Sequence, residues 1–375
     1  MRYTRRRLLK NMLLTGIVLG GSTLGVGCTS VKRKDLQGAT QEIGSAVLTL
    51  DDKTNAILYH ASLAPSTHNC QPWRVCLKSQ NQWIIEADPG RKLPKVDPEN
   101  RELILSLGTF VENLSIASGT LGMWADINII ARTRNDKEVL SVQLHEDTKV
   151  DYPLQRLNKR RTVRNGQLSR NIFLDDLKAL SKAADGYLQY FPSESQHASC
   201  LREAAVEAFR MQSQRDEAQK EFVSWLRLDN RAARQLRDGI TTESMEISDF
   251  KGWVVRTFFT PDDFLKPNFR QQGIDATAEQ VQQGGGWLIL TSPGKGIPDL
   301  IESGRRFERL ALTAHECGIG LHPMTQILEE KSGQSLIFAN HEKNVNPQFI
   351  LRAGYLKKMP VATSLRRPVE RFVYA

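Results

Sequence analysis

Short hydrogen-bonding side chains stand beside a large aromatic residue in the segment APSTHNCQPWRV, residues 64–75. A core strand would exclude the polar residues, and a solvated loop would have no need of Trp73. Ligand pockets combine apolar walls with a few placed polar groups, so the segment is predicted to line a small-molecule site. Simple loop capping by Ser66 or Asn69 is the alternative interpretation.

A second segment with chemical potential is the basic stretch KRRTVR, residues 159–164. The guanidinium groups of Arg160 and Arg164, with the Thr162 hydroxyl between them, could bind a phosphate dianion through charge-assisted hydrogen bonds. Taken alone, the stretch would also suit a solvated basic loop.

Other known catalytic and metal-binding motifs do not match this sequence. His315 and Glu316 begin the zinc-binding pattern HExxH, but residue 319 is Ile. No G-x-S-x-G surrounds a serine, and no G-x-G-x-x-G follows a predicted strand, so neither a hydrolase elbow nor a dinucleotide-binding domain is indicated. Five cysteines without a C-x-x-C pair predict no disulfide scaffold, and the scattered histidines predict no metal site.

The elements that must position these segments follow an α+β pattern, because hydrophobic periods of 3.6 and 2 residues alternate along the chain. The predicted helices cover 52–63, 105–121, 174–184, about 197–235 and 300–317. The predicted strands cover 73–78, 83–88, 127–132, 140–146, 287–292 and 347–355. Residues 255–286 show little periodicity and are predicted to form a loop or lid.

The sequence also contains an internal similarity between two segments. Residues 108–122 align with residues 304–318 at one constant offset of 196 positions. The matched pairs are Gly108 with Gly304, Glu112 with Glu308, Leu114 with Leu310, and Gly122 with Gly318. Two fused repeats are therefore predicted, and chance similarity between amphipathic helices is the alternative.

These residues carry a resemblance to the nitroreductase-like FMN-binding family, in particular to its Acg-type branch of single-chain pseudo-dimers. The motif P-S-x-x-N-x-Q-P-W matches residues 65–73, and RRTVR at 160–164 matches the family's phosphate motif. Ordinary members are homodimers with a flavin at each subunit interface. The resemblance implies a nitroreductase-like fold in which residues 36–155 and 156–375 form an intramolecular pseudo-dimer with one FMN site.

The resemblance also implies the residues of that site. The implied contacts to the flavin ring and ribityl chain are Pro65, Ser66, Thr67, Asn69, Gln71, Pro323, Met324, Thr325 and Gln326. The implied phosphate contacts are Arg160, Thr162, Arg164, Arg366 and Arg367. No catalytic side chain is nominated, since the flavin carries the redox chemistry. The predicted function is an FMN-dependent oxidoreductase with a small-molecule electron acceptor, and the predicted state is a monomer. An FMN-binding or sequestering protein without turnover and a structural surface lipoprotein without cofactor are the alternatives.

The N-terminal segment 1–35 is predicted to direct export. Residues 4–10, TRRRLLK, fit the twin-arginine pattern, and an apolar stretch with small residues leads to Cys28. The expected location is the periplasm or, if Cys28 is lipidated, the inner membrane. An amphipathic helix is the alternative interpretation of this segment.

The net charge of +9 belongs largely to the same segment. Eight basic residues and no acidic residue precede Asp35, so the chain from there on has a net charge of about +1. Nucleic-acid binding requires a basic face on the folded domain, so it is not predicted.

Overall fold

The computed structural model describes residues 30–31, 33–36, 50–247, 249–331, 333–335 and 346–375. The twin-arginine pattern and Cys28 lie outside the described residues. Within the described part, no helix is long and apolar enough to cross a membrane.

Helices and short strands are interspersed along the chain. In chain order, the α-helices are α1 (Asp52–Ser62), α2 (Arg101–Thr120), α3 (Gln155–Lys159), α4 (Leu174–Ala183), α5 (Gln196–Gln214), α6 (Asp216–Ser224), α7 (Asn230–Leu236), α8 (Asp249–Phe258), α9 (Pro267–Gln280), α10 (Ile297–Glu316) and α11 (Gln326–Glu329). The strands are β1 (Trp73–Leu77), β2 (Gln82–Ala87), β3 (Met123–Ile129), β4 (Glu138–Glu146), β5 (Leu188–Pro192), β6 (Gly286–Ser292), β7 (Ile319–Pro323), β8 (Asn346–Tyr355) and β9 (Val373–Tyr374). The predicted α+β content is confirmed.

The strands form two sheets. The first has the order β3-β4-β2-β1-β9, and the second has the order β5-β6-β8-β7. The first sheet is antiparallel except at its edge, where Val75 of β1 lies opposite Val373 of the parallel strand β9. Strand β9 therefore brings the C-terminal segment from the region of the second sheet to the first.

One hydrophobic core joins both sheets through helices α2 and α10. Leu107, Phe110 and Leu114 of α2 are fully buried, and the ring of Phe110 stacks on that of Trp73 at a centroid distance of 5.0 Å. Burial of an aromatic side chain stabilises the fold by about 1.5–3 kcal/mol. Trp73 therefore belongs to the core, directly behind the polar segment that precedes it.

Helices α2 and α10 cross at Gly108 and Gly304, two residues that have no side chain. A Cβ on Gly108 would overlap the carbonyl oxygen of Ile301, and a Cβ on Gly304 would overlap the carbonyl oxygen of Leu105. The contact is reciprocal, because Ile301 and Leu105 are also 196 positions apart. Gly108 and Gly304 therefore occupy equivalent places in this contact.

Two predictions about helices need correction. The predicted helix over 197–235 is three helices, because Arg215 adopts an extended conformation after α5 and the Asp229 side chain caps the start of α7. The predicted loop over 255–286 is wrong, since α8 enters it and α9 occupies its centre, with Pro267 at its first turn.

Candidate functional site

A cavity of about 410 Å³ lies between the polar segment after α1, the basic segment after α3 and the segment around α11. Its volume is in the range of small-molecule sites. Twelve of the fourteen residues predicted for the site line it. They are Pro65, Ser66, Thr67, Asn69, Arg160, Thr162, Arg164, Pro323, Met324, Thr325, Gln326 and Arg366.

The polar segment is held in an unusual backbone conformation. His68, Asn69 and Gln71 have φ values of 51°, 53° and 53°, which non-glycine residues rarely adopt. The hydroxyl of Ser66 accepts a hydrogen bond from the backbone N–H of Gln71 at 2.9 Å and closes the turn. Backbone strain of this sort persists where the surroundings fix it, and it is concentrated at functional sites.

Gln71 and Arg367 lie behind the cavity wall. Gln71 is fully buried, and its Oε1 accepts a hydrogen bond from the backbone N–H of Arg367 at 2.9 Å. The Arg367 guanidinium donates to the carbonyl oxygens of Gln71 and Trp73 at 2.6 and 2.8 Å. This placement corrects the prediction for both residues, because their polar groups tie the polar segment to the C-terminal segment.

Arg366 is a buried cation at the cavity wall, only 9% exposed. Its Nη1 donates to Oδ1 of Asn69 at 2.8 Å, and its Nη2 donates to the carbonyl oxygens of Leu63 and Ala64 at 2.9 and 3.0 Å. Among the described residues, its Nε has no hydrogen-bond partner and its guanidinium has no carboxylate at ion-pair distance. Burial, with Arg33 and Arg160 nearby, holds the pKa of Arg366 well below its usual range.

Arg160 lies in the same part of the cavity and has a counter-ion. Its Nε is 3.1 Å from Oε1 of the buried Glu308, and its Nη2 donates to the carbonyl oxygen of Leu63 at 3.1 Å. Burial raises the pKa of Glu308, and Arg160 opposes that shift. The alignment of Glu308 with Glu112 in the sequence does not by itself predict that Glu308 lies at this site.

Arg161 and Arg164 are the other arginines of the basic segment that line the cavity. Nη2 of Arg161 lies 3.0 Å from Oε1 of Glu246, which also accepts from the backbone N–H of Arg164 at 3.0 Å. The Arg164 side chain donates to the carbonyl oxygen of Ser244 at 2.5 Å. Its pKa is lowered by burial, although Glu246 raises it.

The basic wall therefore carries more positive than negative charge. Five guanidinium groups, those of Arg33, Arg160, Arg161, Arg164 and Arg366, line the cavity, and Glu308 and Glu246 are the carboxylates that contact them. Burial, followed by the neighbouring Arg160, lowers the pKa of Arg33 to about 10. A buried excess of positive charge costs free energy until an anion neutralises it. The wall thus fits a dianionic phosphate group.

An acidic cluster lines the cavity elsewhere. Glu102 and Glu329 both line the cavity, and the Thr67 hydroxyl donates to Oε2 of Glu102 at 2.5 Å. Burial and then the charge of Glu102 hold the pKa of Glu329 well above its usual range. The same two causes raise the pKa of nearby Asp97 to about 6.

Apolar and helical residues form the rest of the lining. Phe307 and Phe349 stack with a centroid distance of 4.1 Å, and His68 contacts the edge of Phe222 at 5.7 Å. Helices α5, α6 and α9 contribute residues that sequence reasoning missed, namely Phe209, Gln212, Ala218, Gln219, Phe222, Gly273, Ala276, Thr277 and Gln280. Within the described residues no group of His, Cys, Asp or Glu could hold a metal ion.

Comparison with known proteins gives relatives of one kind. No family model matches the chain. A protein of Mycobacterium tuberculosis (strain H37Rv), provisionally named an NAD(P)H nitroreductase, is 38% identical over 79 residues, which cover 20% of this chain and 22% of that protein. The match thus spans about a fifth of that relative's length. PigM of Serratia sp. (strain ATCC 39006), named a probable NAD(P)H nitroreductase, is 23% identical over 324 residues, 82% of this chain and 89% of that protein.

Solved structures similar to this chain carry related names. A nitroreductase-like family protein from Bacillus cereus has a TM-score of 0.35 and 11% identity, covering 60% of this chain and 96% of its own. The FMN-dependent nitroreductase NfnB from Mycobacterium smegmatis, crystallised with NADPH, has a TM-score of 0.33 and 13% identity, covering 56% and 92%.

Proposed function

We propose that this protein binds FMN in the cavity and acts as an oxidoreductase of the nitroreductase type. The observation that carries the proposal is the buried guanidinium of Arg366, which lines the cavity without a carboxylate partner among the described residues. Similarity to the Serratia protein over 82% of the chain supports the activity class.

The charge of the basic wall suits FMN better than an uncharged flavin. Arg33, Arg164 and Arg366 would hold the phosphate, since their guanidinium groups are bound mainly to neutral carbonyl oxygens. Charge-assisted hydrogen bonds to a phosphate are stronger than those to neutral acceptors. When bound, the flavin would supply two-electron redox chemistry, and the protein would orient it and exclude water.

The polar segment and the segment around α11 would hold the rest of the cofactor. Ser66 and Thr67 present hydroxyl groups to the cavity, and residues 323–326 border it with backbone and side-chain groups. The wall formed by Phe307 and Phe349 is apolar. An aromatic ring system with polar edges requires this combination of surfaces.

We further propose that the fold is an intramolecular pseudo-dimer with one flavin site. The reciprocal crossing at Gly108 and Gly304 supports a pseudo-two-fold axis between α2 and α10. Glu308 pairs with Arg160 at the cavity, whereas its counterpart Glu112 is bound by Arg305 and Arg309 at 2.8 and 3.1 Å. Because Arg305 and Arg309 of α10 neutralise Glu112, the position that the pseudo-two-fold axis relates to the cavity needs no anionic ligand.

A second candidate is an FMN-binding protein without turnover. The twin-arginine pattern at residues 4–10 favours it, because NAD(P)H is scarce outside the inner membrane. Under either function we propose export to the periplasm, with Cys28 as a candidate site for a lipid anchor. Mass spectrometry of the mature N-terminus tests this: an acylated Cys28 would support the anchor, and a free N-terminus at any other residue would contradict it.

The absorbance spectrum of the purified protein tests the function. We expect a flavin band that NADPH or a quinol bleaches and that a nitroaromatic compound restores. A flavin band that neither donor bleaches would favour FMN binding without turnover. Purified protein that stays colourless after incubation with excess FMN would contradict both candidates.

A further inference from the structure

We propose that Arg352 fixes His322 in the neutral tautomer that carries its hydrogen on Nε2, and that this N–H donates to an uncharged acceptor atom of the molecule bound in the cavity. The identity of that molecule, a flavin, rests on the proposed function. The tautomer is a property of the protein alone.

The pairing of β7 with β8 places the two side chains together. His322 and Arg352 are direct partners in the antiparallel register, so their side chains project from the same face of the sheet. Nη2 of Arg352 lies 3.1 Å from Nδ1 of His322. Arg352 is completely buried and His322 is 8% exposed, so the contact is shielded from bulk water.

The chemistry of the two groups decides which ring nitrogen carries the hydrogen. A guanidinium group has only donors, so Nδ1 of His322 must accept this hydrogen bond with its lone pair. A neutral imidazole has one protonated nitrogen, which is therefore Nε2. Arg352 is itself held in place, because Nη1 donates to the carbonyl oxygen of Gln283 at 3.1 Å and Nη2 also donates to that of Arg164.

The surrounding charges keep the ring neutral. Burial, and then the charges of Arg164 and Arg352, hold the pKa of His322 well below its usual range. Burial lowers the pKa of Arg352 to about 10, so its guanidinium keeps its charge at neutral pH. Because both guanidinium groups would repel an imidazolium, His322 is a neutral donor and not a further cation for the phosphate.

The second ring nitrogen is available to a ligand. His322 lines the cavity, and among the described residues no group lies at hydrogen-bond distance from its Nε2. A buried N–H without an acceptor costs free energy, which an acceptor on a ligand would recover. Residues 323–326, which follow His322 directly, border the cavity where the flavin ring is proposed to lie. The acceptor is therefore assigned to the flavin ring, whose carbonyl oxygens and ring nitrogens are uncharged.

Nitrogen NMR of the ligand-free protein tests the tautomer. At pH 7 we expect His322 to show the pattern of a neutral ring protonated on Nε2, and His322→Gln assigns its signals by their loss. His60 is the matched control in the same spectrum, because the carbonyl oxygen of Ala56, 2.8 Å from its Nδ1, can only accept. It should show the opposite tautomer. A ring of His322 protonated on Nδ1, or on both nitrogens, would overturn the proposal.

Two substitutions of Arg352 test its positioning role. Arg352→Lys retains a charged donor and should preserve the Nε2-protonated pattern of His322. Arg352→Met removes the donor, so the signals of His322 should shift toward the average of the two tautomers. Unchanged signals of His322 in Arg352→Met would overturn the role of Arg352.

Flavin titrations test donation to the ring. Saturation with FMN or with riboflavin should shift the Nε2–H signal of His322 and leave the Nδ1–H signal of His60 unchanged. His322→Leu should weaken the binding of both flavins by about three- to tenfold, whereas His322→Gln keeps an N–H donor and should recover most of the affinity.

The contrary outcomes are distinct. A shift with FMN but not with bound riboflavin would place the acceptor on the phosphate and overturn the assignment to the ring. No shift with either flavin bound would overturn donation. If the protein binds neither flavin, the proposed function fails and donation fails with it, while the spectrum of the ligand-free protein still decides the tautomer.

Discussion

At the residue scale, the cavity separates two kinds of charge. Guanidinium groups gather at one wall, whereas Glu102 and Glu329 face the cavity elsewhere. The separation matters because opposite charges in contact would neutralise each other, and neither wall would then attract a charged ligand. Asn69 contributes to it indirectly, since it fixes Arg366 through a hydrogen bond of 2.8 Å.

The basic wall predicts discrimination between FMN and riboflavin. Arg164→Gln should weaken FMN binding by about ten- to a hundredfold, because one charge-assisted interaction with the phosphate is lost. Riboflavin lacks the phosphate and should bind nearly as before. Fluorescence titration of both flavins measures this, with Arg210→Gln as the control, since Arg210 pairs with Glu207 outside the cavity. Equal losses for both flavins would contradict the phosphate assignment.

The acidic cluster predicts how stability varies with pH. Because the pKa of Asp97 is about 6 in the fold and its ordinary value is 3.8, its contribution to stability is present below about pH 4 and is lost as the pH rises through 6. Asp97→Asn should therefore gain stability relative to the unmodified protein between pH 4 and 7, on the order of 2 kcal/mol. Denaturant midpoints across this pH range measure it. Asp175→Asn, at an exposed side chain, is the control, and parallel curves for Asp97→Asn would contradict the prediction.

The residues of the site were predictable only where a local motif carries them. Pro65, Thr162 and Arg366 stand in short segments with a recognisable composition. Glu329 and Gln212 belong to ordinary helical sequence, and only the packing of α5 against α11 brings them to the cavity. Gln71 and Arg367 match the motif but face inward, because the strained turn and the C-terminal segment need hydrogen-bond partners.

At the element scale, the crossing of α2 and α10 fixes the relation between the two sheets. Most elements around this crossing could be predicted, since long periodic helices and hairpins give strong local signals. Strands β5 and β7 could not be predicted, because the residues with which they pair are distant in the chain. The region of α8 and α9 could not either, because α9 combines a weak apolar period with polar surface residues.

Close approach at the crossing predicts two sensitive glycines. Gly108→Ala and Gly304→Ala should each reduce the free energy of unfolding by more than about 2 kcal/mol, since each Cβ would overlap a backbone carbonyl. Gly119→Ala in the same helix α2 should be neutral or stabilising by up to about 1 kcal/mol, as its Cβ would meet only Val150 at 3.4 Å. Chemical denaturation of the three variants measures this. Similar stabilities for Gly108→Ala and Gly119→Ala would show that the helices are not in close contact.

At the scale of the whole molecule, the cavity requires both parts of the chain. The polar segment comes from residues before 155, while the basic segment, α10 and Arg366 come from residues after 156. The hydroxyl of Tyr374 donates to Oε1 of Glu86 at 2.6 Å, so the two parts are also joined at the edge of the first sheet.

This division predicts that separate parts do not hold flavin. Residues 36–155 and 156–375, produced separately, should each fail to retain FMN, because one part lacks the arginines and the other lacks the polar segment. Coexpression should restore binding through the crossing of α2 with α10, although more weakly than in the whole protein, because both parts lack Arg33. Retention of FMN by either part alone, measured by absorbance after gel filtration, would contradict a site shared by the two.

The parallel pairing of β9 with β1 has a consequence for the order of events during biosynthesis. A ribosome makes Val75 about 300 residues before it makes Val373. The edge of the first sheet at β1 therefore stays unpaired until the C-terminal segment has been made. Arg366 is also made late, close to β9. The cavity therefore cannot close around a ligand until Arg366 and β9 have been made. A chain truncated before this segment would lack Arg366 and the pairing of β9 with β1, so we expect it to retain no ligand.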